Sequence, residues 1–269
     1  MITTASVVFT SAITDLLRKP GKVDGVINLA ARAGVRSSIS DPWVYMNTNI
    51  LGTLNLVEYC HQLEIQKLIL ASTSSLYRDT APMPFMETAD TNQPIQPYAA
   101  SKKGAEALCY TYHYLYGLDV TVFRYFTVYG PAGRPDMVMF RFTQWISEGR
   151  DVAINGDGTQ RRGFTYLDDI ARGTILGLKQ VGYEIINLGG HELITLNDLI
   201  AILEKKIGKK AITTFHPFHK ADALANWADV TKARDLLGWQ PQVDLDEGID
   251  HLVEWYQKER TWASQVLTP

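Results

Sequence analysis

A chain of 269 residues with 46% apolar and 20% charged side chains has the composition of a globular protein with a sizeable core. Its net charge of −3 gives no electrostatic reason to expect a nucleic-acid partner. No apolar run reaches the roughly 18 residues of a membrane span, and the first residues lack the basic start of a signal peptide. Cys60 and Cys109 fall in apolar helical patterns, which favours buried thiols over a disulfide. These features predict a cytoplasmic protein with neither a nucleic-acid nor a membrane partner.

The chain begins with alternating strand and helix patterns. A strand is predicted at residues 6–9, a short helix at 12–19, and a second strand at 23–31. The second strand ends in Ala30 and Ala31, small residues that let a ligand approach the backbone or that simply form a tight turn.

Two long helices follow. The first is predicted at 42–63, because Asp41 is a good N-cap and Pro42 suits the first helical position. The second covers 97–116 and opens with Pro97. The aromatic side chains of both helices suit packing inside the subunit or across a dimer.

Between these helices, residues 67–77 read as a buried strand that runs into four hydroxyl-bearing residues, Ser72 to Ser75. Short apolar runs of this kind suit an inner strand of a parallel sheet, where ligands bind at the carboxyl ends. The hydroxyls could hydrogen-bond a substrate oxygen, or the segment could be only a polar turn.

The second half continues the alternation. Residues 119–125 predict a strand, and 127–135 predict a binding loop, because the stretch is rich in Gly and Pro and too long for a simple turn. The later predicted elements are a helix at 136–148, a strand at 152–154, a helix at 167–179, a strand at 184–188, a helix at 196–207, and further elements at 212–216, 231–237 and 246–259.

Tyr98 and Lys102 lie four residues apart and therefore on one face of the predicted helix. An ammonium group beside a phenol favours the phenolate, which would make Tyr98 a usable base. The spacing alone fits an ordinary pair on a helix surface equally well.

The order of strand, hydroxyls and Tyr-x-x-x-Lys resembles the extended short-chain dehydrogenase/reductases, and within them the NAD-dependent epimerase/dehydratase family. Further segments carry the resemblance: Asn-Leu-Ala-Ala-Arg-Ala-Gly-Val-Arg at 28–36, Phe-Arg-Tyr-Phe-Thr-Val-Tyr-Gly-Pro-Ala-Gly-Arg-Pro-Asp-Met at 123–137, Arg-Arg-Gly-Phe-Thr-Tyr-Leu-Asp-Asp-Ile at 161–170 and Asn-Trp-Ala-Asp at 226–229. The Ala-Gly-Val-Arg and Gly-Arg-Pro-Asp-Met pieces are most similar to UDP-glucuronate 4-epimerases.

The resemblance implies C4 epimerisation of a UDP-sugar through a 4-keto intermediate, with NAD as cofactor. The catalytic residues it implies are Thr73, Tyr98 and Lys102. The cofactor contacts it implies are Ala30, Ala31, Asn49, Tyr98, Lys102 and Phe126. The substrate contacts it implies are Arg36, Ser74, Ser75, Thr127, Arg134, Arg162 and Asp222.

Three of these residues have specific implied roles. Arg162 would hold the pyrophosphate, Arg134 the sugar end, and Asp222 the uridine ribose. Both arginines are predicted to lie in loops. The six histidines show no usual metal-ligand spacing, so no metal site is expected.

The predicted fold is α/β. Residues 1–135 would form a truncated Rossmann-like, doubly wound parallel sheet, and 136–269 a small C-terminal substrate domain with some strands returning to the sheet. A dinucleotide fold should open with a Gly-rich turn, and no such motif occurs in the sequence. We therefore expect NAD binding to be weak or absent, although a homodimer could fill the gap.

Two alternatives remain. One is a non-catalytic protein that binds UDP-sugars, and the other is a dehydratase or decarboxylase acting on a similar sugar. The dehydratases of this family carry an Asp-Glu pair where Ser74 and Ser75 stand, which argues against the second.

Overall fold

The computed structural model describes residues 23–77, 81–217 and 225–268. The strand and helix predicted at 6–9 and 12–19 lie outside the described residues. The described chain forms two compact units. The first contains 23–76, 91–123 and 177–185, and the second contains the described parts of 77–90, 124–176 and 186–268.

Strands and helices alternate along the described chain. The strands are β1 (Val26–Asn28), β2 (Lys67–Thr73), β3 (Asp119–Tyr125), β4 (Thr127–Tyr129), β5 (Asp151–Asn155), β6 (Arg161–Tyr166), β7 (Tyr183–Leu188), β8 (Glu192–Thr195) and β9 (Ile212–His216). The helices are α1 (Val35–Ser40), α2 (Pro42–Tyr45), α3 (Gly52–Gln62), α4 (Pro97–Tyr116), α5 (Val138–Glu148), α6 (Leu167–Leu176), α7 (Leu196–Ile207), α8 (Thr231–Leu237), α9 (Leu245–Lys258) and α10 (Arg260–Ala263).

The largest sheet has the strand order β1–β2–β3–β7. Strand β1 pairs with β2 in parallel, with Val26 opposite Leu68. Every residue of β2 is buried, as a strand covered on both faces requires. The predicted α/β fold with a parallel sheet is therefore confirmed.

The core of the first unit packs helices α3 and α4 against this sheet. Its buried side chains include Val57, Leu68, Ala105, Cys109 and Val120. Both cysteine thiols are buried and free, as the sequence predicts.

The predicted helix at 42–63 is present with one irregularity. The Asp41 side chain caps it by accepting a hydrogen bond from Val44 N at 3.4 Å. Between α2 and α3 the chain forms a π-helical segment, Met46–Leu51, that contains the buried Asn49. Such π-helical turns occur often at functional sites.

The second unit contains two small sheets, β4–β6–β8 and β5–β9. Its core is the larger of the two, and helices α5, α7 and α9 line it with Phe142, Trp145, Leu199, Leu203 and Leu252. None of the described helices is long and apolar enough to cross a membrane.

Several element boundaries differ from the sequence prediction. The strand predicted at 23–31 is only three residues long, so Ala30 and Ala31 lie beyond its end. The strand predicted at 67–77 ends at Thr73, because the small polar residues that follow form a 3₁₀ turn at Ser74–Leu76.

The loop predicted at 127–135 contains strand β4. Thr127 and Val128 are β-branched, and they pair in parallel with Phe164 and Thr165 of β6. The sequence pattern also missed strands β6 and β8. Strand β6 begins with two arginines and a glycine, residues that weaken a strand signal, and β8 is only four residues long.

Candidate active site

Hydroxyl groups gather at the carboxyl end of β2. Ser72 Oγ donates a hydrogen bond to Glu106 Oε1 across 2.6 Å. The Thr73 hydroxyl accepts one from the backbone N–H of Ser75 at 3.1 Å. Ser74 and Ser75 are half-buried in the turn that follows. These groups lie at the edge where open α/β sheets bind ligands.

Tyr98 and Lys102 lie one turn apart on α4, as predicted. The Tyr98 ring is half-buried and meets the Tyr45 ring edge-on, with the centroids 6.1 Å apart. Lys102 is only 4% exposed, and its Nζ donates to the carbonyl oxygen of Ala71 at 2.7 Å. The lysine therefore points to the carboxyl end of β2 rather than into solvent, unlike a surface pair.

Burial changes the proton affinity of Lys102. Loss of hydration disfavours the ammonium and lowers the pKa of Lys102 to about 8, while the Glu106 carboxylate acts in the opposite direction. With a pKa of about 8, the Lys102 side chain changes between its charged and neutral forms just above neutral pH. An ammonium group can stabilise a neighbouring phenolate, and it loses its charge when the pH rises above its pKa.

Asn49 joins the segment after β1 to helix α4. Its Oδ1 accepts from Arg32 N at 2.8 Å, and its Nδ2 donates to Arg32 O at 3.0 Å and to Ser101 Oγ at 2.8 Å. Ser101 Oγ donates in turn to Tyr98 O at 2.7 Å. The chain of hydrogen bonds fixes the backbone that carries Tyr98.

The remaining predicted residues of the first unit surround the end of β1. Ala30 and Arg36 are exposed and Ala31 is half-buried. The Tyr45 hydroxyl hydrogen-bonds Ser37 Oγ at 2.6 Å and Ala33 O at 3.1 Å, which ties this segment to α2.

In the second unit, Phe126 is buried with Tyr77, Phe85 and Ala228. Its backbone N–H donates to Leu188 O at 3.3 Å.

Arg134 is exposed and already holds a carboxylate. Its Nε and NH2 donate to the two oxygens of Asp136 at 3.1 and 2.6 Å, a bidentate pair. An anionic substrate group would have to displace Asp136 or share the guanidinium with it. Thr127 is half-buried at the start of β4.

The prediction that Arg162 lies in a loop is wrong. It lies in β6, directly opposite Ile194 of β8, and is half-buried. A strand is possible here because Gly163 follows: a Cβ at that position would collide with the carbonyl of Gly190. The strand therefore fixes the backbone of Arg162 more firmly than a loop would.

Asp222 lies outside the described residues. Two residues that the sequence analysis did not single out lie close to Lys102, namely Ser101 and Glu106. A helical-face argument could have found both, because Ser101 follows Tyr98 by three residues and Glu106 follows Lys102 by four. In the part of the chain that the structure describes, no cluster of three or more His, Cys, Asp or Glu is placed to hold a metal ion.

The described residues offer polar groups that fit the nicotinamide riboside of a nicotinamide dinucleotide. A buried ammonium such as Lys102 and the hydroxyl of Tyr98, one helical turn away, are groups that can hydrogen-bond ribose hydroxyls. Within residues 23–77, 81–217 and 225–268, no Gly-rich turn opens a helix in the manner that receives a pyrophosphate.

Comparisons with known proteins identify the family. Residues 3–189 match the NAD dependent epimerase/dehydratase family. The chain is 58% identical over 234 residues to the UDP-glucuronate 4-epimerase of Thermodesulfobacterium geofontis, a match that covers 87% of this chain and 72% of the relative.

Two solved structures extend the comparison. The Bacillus cereus UDP-glucuronic acid 4-epimerase, in complex with UDP-glucuronic acid and NAD, is similar with a TM-score of 0.84 and 36% identity, covering 92% of this chain and 78% of that one. The Thermotoga maritima UDP-glucose 4-epimerase with UDP-glucose has a TM-score of 0.87 and 32% identity, covering 94% and 82%. The chain belongs to the NAD dependent epimerase/dehydratase family.

Proposed function

We propose that the protein interconverts UDP-glucuronate and UDP-galacturonate by epimerisation at C4. One observation carries the proposal: a buried Lys102 stands one helical turn from Tyr98, at the hydroxyl-bearing end of β2. This arrangement occurs in a chain 58% identical to a UDP-glucuronate 4-epimerase.

The chain's own residues would handle the proton and the oxygen at C4. NAD, when bound, supplies the reversible hydride transfer that a 4-keto intermediate requires. Tyr98 takes the proton of the 4-hydroxyl and later returns it. Thr73 hydrogen-bonds the 4-oxygen, and the Lys102 ammonium stabilises the Tyr98 phenolate.

The cofactor and substrate contacts follow the resemblance. Lys102 would also bind the nicotinamide ribose, with Ala30, Ala31, Asn49 and Phe126 lining the nicotinamide end. Arg162 would hold the pyrophosphate, Asp222 the ribose and Arg134 the glucuronate carboxylate. The further sugar contacts would be Arg36, Ser74, Ser75 and Thr127.

A second candidate is a protein that binds UDP-sugars without turnover. It rests on Arg162, Arg134 and Asp222, which the resemblance assigns to the nucleotide sugar and which need no NAD. The 269-residue sequence contains no Gly-rich turn to receive the NAD pyrophosphate. The 269-residue chain by itself would then bind NAD with about millimolar affinity. Fusing the N-terminal strand–turn–helix segment of a relative ahead of Met1 should tighten NAD binding, measured by calorimetry, if the pyrophosphate site is what the chain needs.

The assembly we propose is a cytoplasmic homodimer. Helices α2 and α4 expose large aromatic side chains, with Trp43 76% and Tyr114 77% exposed. Patches of this kind on soluble proteins mark interaction sites. We also propose residues 1–135 as the catalytic domain and 136–269 as mainly the nucleotide-sugar domain.

The test of the epimerase proposal is conversion of UDP-glucuronate by the NAD-loaded chain, followed by NMR of the sugar. Tyr98→Phe should lower turnover by about 10²- to 10⁴-fold, the usual contribution of a general base. Tyr110→Phe, an exposed tyrosine on the same helix, is the matched control and should keep full turnover. Full turnover by Tyr98→Phe would refute the proposed role of Tyr98.

A further inference from the structure

Glu106 is a buried carboxylate for which the epimerase mechanism has no role. It is 2% exposed and lies on α4, two turns beyond Tyr98 and one turn beyond Lys102. Burying a carboxylate is costly unless charged or hydrogen-bonding partners compensate. Its partners therefore indicate what it does.

Two side chains fasten α4 to neighbouring positions on β2. Lys102 Nζ donates to Ala71 O at 2.7 Å, and Glu106 Oε1 accepts from Ser72 Oγ at 2.6 Å. The next residue on the strand is Thr73, the proposed hydrogen-bond partner of the 4-oxygen. Glu106 thus sets the spacing between the helix that carries Tyr98 and Lys102 and the strand that carries Thr73.

The carboxylate also acts on Lys102 by charge. Residues four apart on a helix face each other, and the attraction of Glu106 opposes the desolvation that lowers the pKa of Lys102 to about 8. At pH 7.5 a lysine of that pKa is about three-quarters protonated. If the pKa were one unit lower, only about one-quarter would be protonated.

Other ionisable groups around Glu106 do not replace this effect. Lys103 Nζ is 3.8 Å from Glu106 Oε2, and the Tyr183 hydroxyl of β7 donates to Glu106 O at 3.1 Å. The thiols of Cys109 on α4 and Cys60 on α3 are kept neutral, because burial raises the pKa of Cys109 to about 12 and that of Cys60 to about 11. Among these groups, Glu106 supplies the carboxylate.

We propose that Glu106 is a positioning residue of this site, whose buried carboxylate holds helix α4 against the carboxyl end of β2 and favours the charged form of Lys102. The proposal rests on the proposed function for its catalytic meaning, because it assigns Lys102 the task of activating Tyr98. The effect of the Glu106 charge on the pKa of Lys102 can be measured without substrate or cofactor.

The test is an NMR titration of Lys102 in protein labelled with ¹³C at lysine Cε, with the resonance assigned by its loss in Lys102→Arg. Wild-type protein should show a midpoint at about 8. Glu106→Gln keeps an oxygen that can accept from Ser72 but removes the charge, so the acid dissociation constant of Lys102 should rise about tenfold.

Two control variants separate charge from contact. Glu58→Gln makes the same change at a carboxylate on α3 that bonds Tyr112 instead, and should leave the Lys102 midpoint unchanged. Ser72→Ala keeps the charge of Glu106 but removes its hydrogen-bond partner, so the midpoint should move by less than in Glu106→Gln. If the acid dissociation constant of Lys102 in Glu106→Gln lies within about twofold of the wild-type value, the proposal is overturned. An equal change in Glu58→Gln would overturn it as well.

A variant that fails to fold does not stop the test. If Glu106→Gln shows no cooperative thermal transition, Glu106→Asp withdraws the carboxylate by one methylene and should raise the dissociation constant about threefold. An unchanged midpoint in Glu106→Asp would likewise overturn the proposal. Absence of epimerase turnover in protein shown to bind both NAD and UDP-glucuronate would refute the proposed function and leave this titration interpretable.

Discussion

Asn49 Nδ2 donates a hydrogen bond to Ser101 Oγ across 2.8 Å, and both residues are buried. The bond links the π-helical segment to the helix that carries Tyr98, two elements 52 residues apart in the chain. Because Ser101 Oγ donates a hydrogen bond to Tyr98 O, one hydroxyl connects Asn49 to the helical turn that carries Tyr98. The geometry of Tyr98 therefore depends on a pair of neutral side chains.

Ser101→Ala should destabilise the protein by about 1–3 kcal/mol, because it leaves the Asn49 amide without one of its two acceptors, the buried one. Urea denaturation followed by far-UV circular dichroism measures the change. Thr111→Ala is the matched control, since Thr111 makes a similar hydroxyl-to-carbonyl bond on the same helix but at an exposed position. That control should stay within about 0.5 kcal/mol of wild type. Equal effects of the two substitutions would contradict a special role for Ser101.

Turnover should fall as pH rises above about 8. The ammonium form of Lys102 is present below its pKa of about 8 and is lost above it, and only the ammonium stabilises the Tyr98 phenolate. In the profile of kcat against pH for the NAD-loaded enzyme, we expect a tenfold fall for each unit beyond this point. An activity that keeps rising to pH 10 would show that Lys102 does not need its charge.

Arg162→Ala should weaken UDP binding about tenfold or more, because a hydrogen bond to a charged group contributes about 1.5–3 kcal/mol. Isothermal titration with UDP requires no NAD. Arg161→Ala changes the neighbouring, exposed arginine of the same strand and is the control. The two side chains leave opposite faces of β6, so only one of the two substitutions should alter affinity. Identical affinities for the two variants would contradict the assignment of Arg162.

Asp136→Asn should favour substrates that carry a sugar carboxylate. The Asp136 carboxylate now accepts from Nε and NH2 of Arg134, and its neutral replacement would release this side of the guanidinium for a ligand. We expect the affinity for UDP-glucuronate, relative to UDP-glucose, to rise about threefold to tenfold, within the range of an exposed charge pair. Arg134→Ala should reduce the same ratio. A ratio that neither substitution changes would place the sugar carboxylate elsewhere.

Sequence patterns predicted the elements that depend on a single physical signal. The 97–116 helix follows from Pro97 and its apolar face, and the 42–63 helix from its Asp41-Pro42 start. The π-helical segment inside the second could not be foreseen, because it reflects the contacts of Asn49 with Arg32 and Ser101 rather than a local preference.

Three further features could not be predicted from the sequence, because they depend on side-chain conformation or on contacts between distant segments. Strand β6 contains Arg162 and Gly163, whose residue types predict a loop, and pairing with β4 and β8 overrides that local preference. The bidentate pair of Arg134 with Asp136 depends on rotamers that spacing does not reveal. Residue spacing places Glu106 on the same helical face as Lys102. Its burial depends on the packing of α4 against β2, which spacing does not reveal.

The most direct test of the central claim is the fate of hydrogen at C4. UDP-glucuronate deuterated at C4 should give UDP-galacturonate that keeps the deuterium at C4, because the hydrogen leaves as hydride and returns to the opposite face without exchange with water. The measurement uses the NAD-loaded chain, extended at Met1 by the N-terminal segment of its Thermodesulfobacterium geofontis relative, with product analysis by NMR and mass spectrometry. Retention of the label, abolished by Tyr98→Phe, is the predicted result. Loss of the label to solvent, or no product from a chain shown to bind both NAD and UDP-glucuronate, would contradict the account.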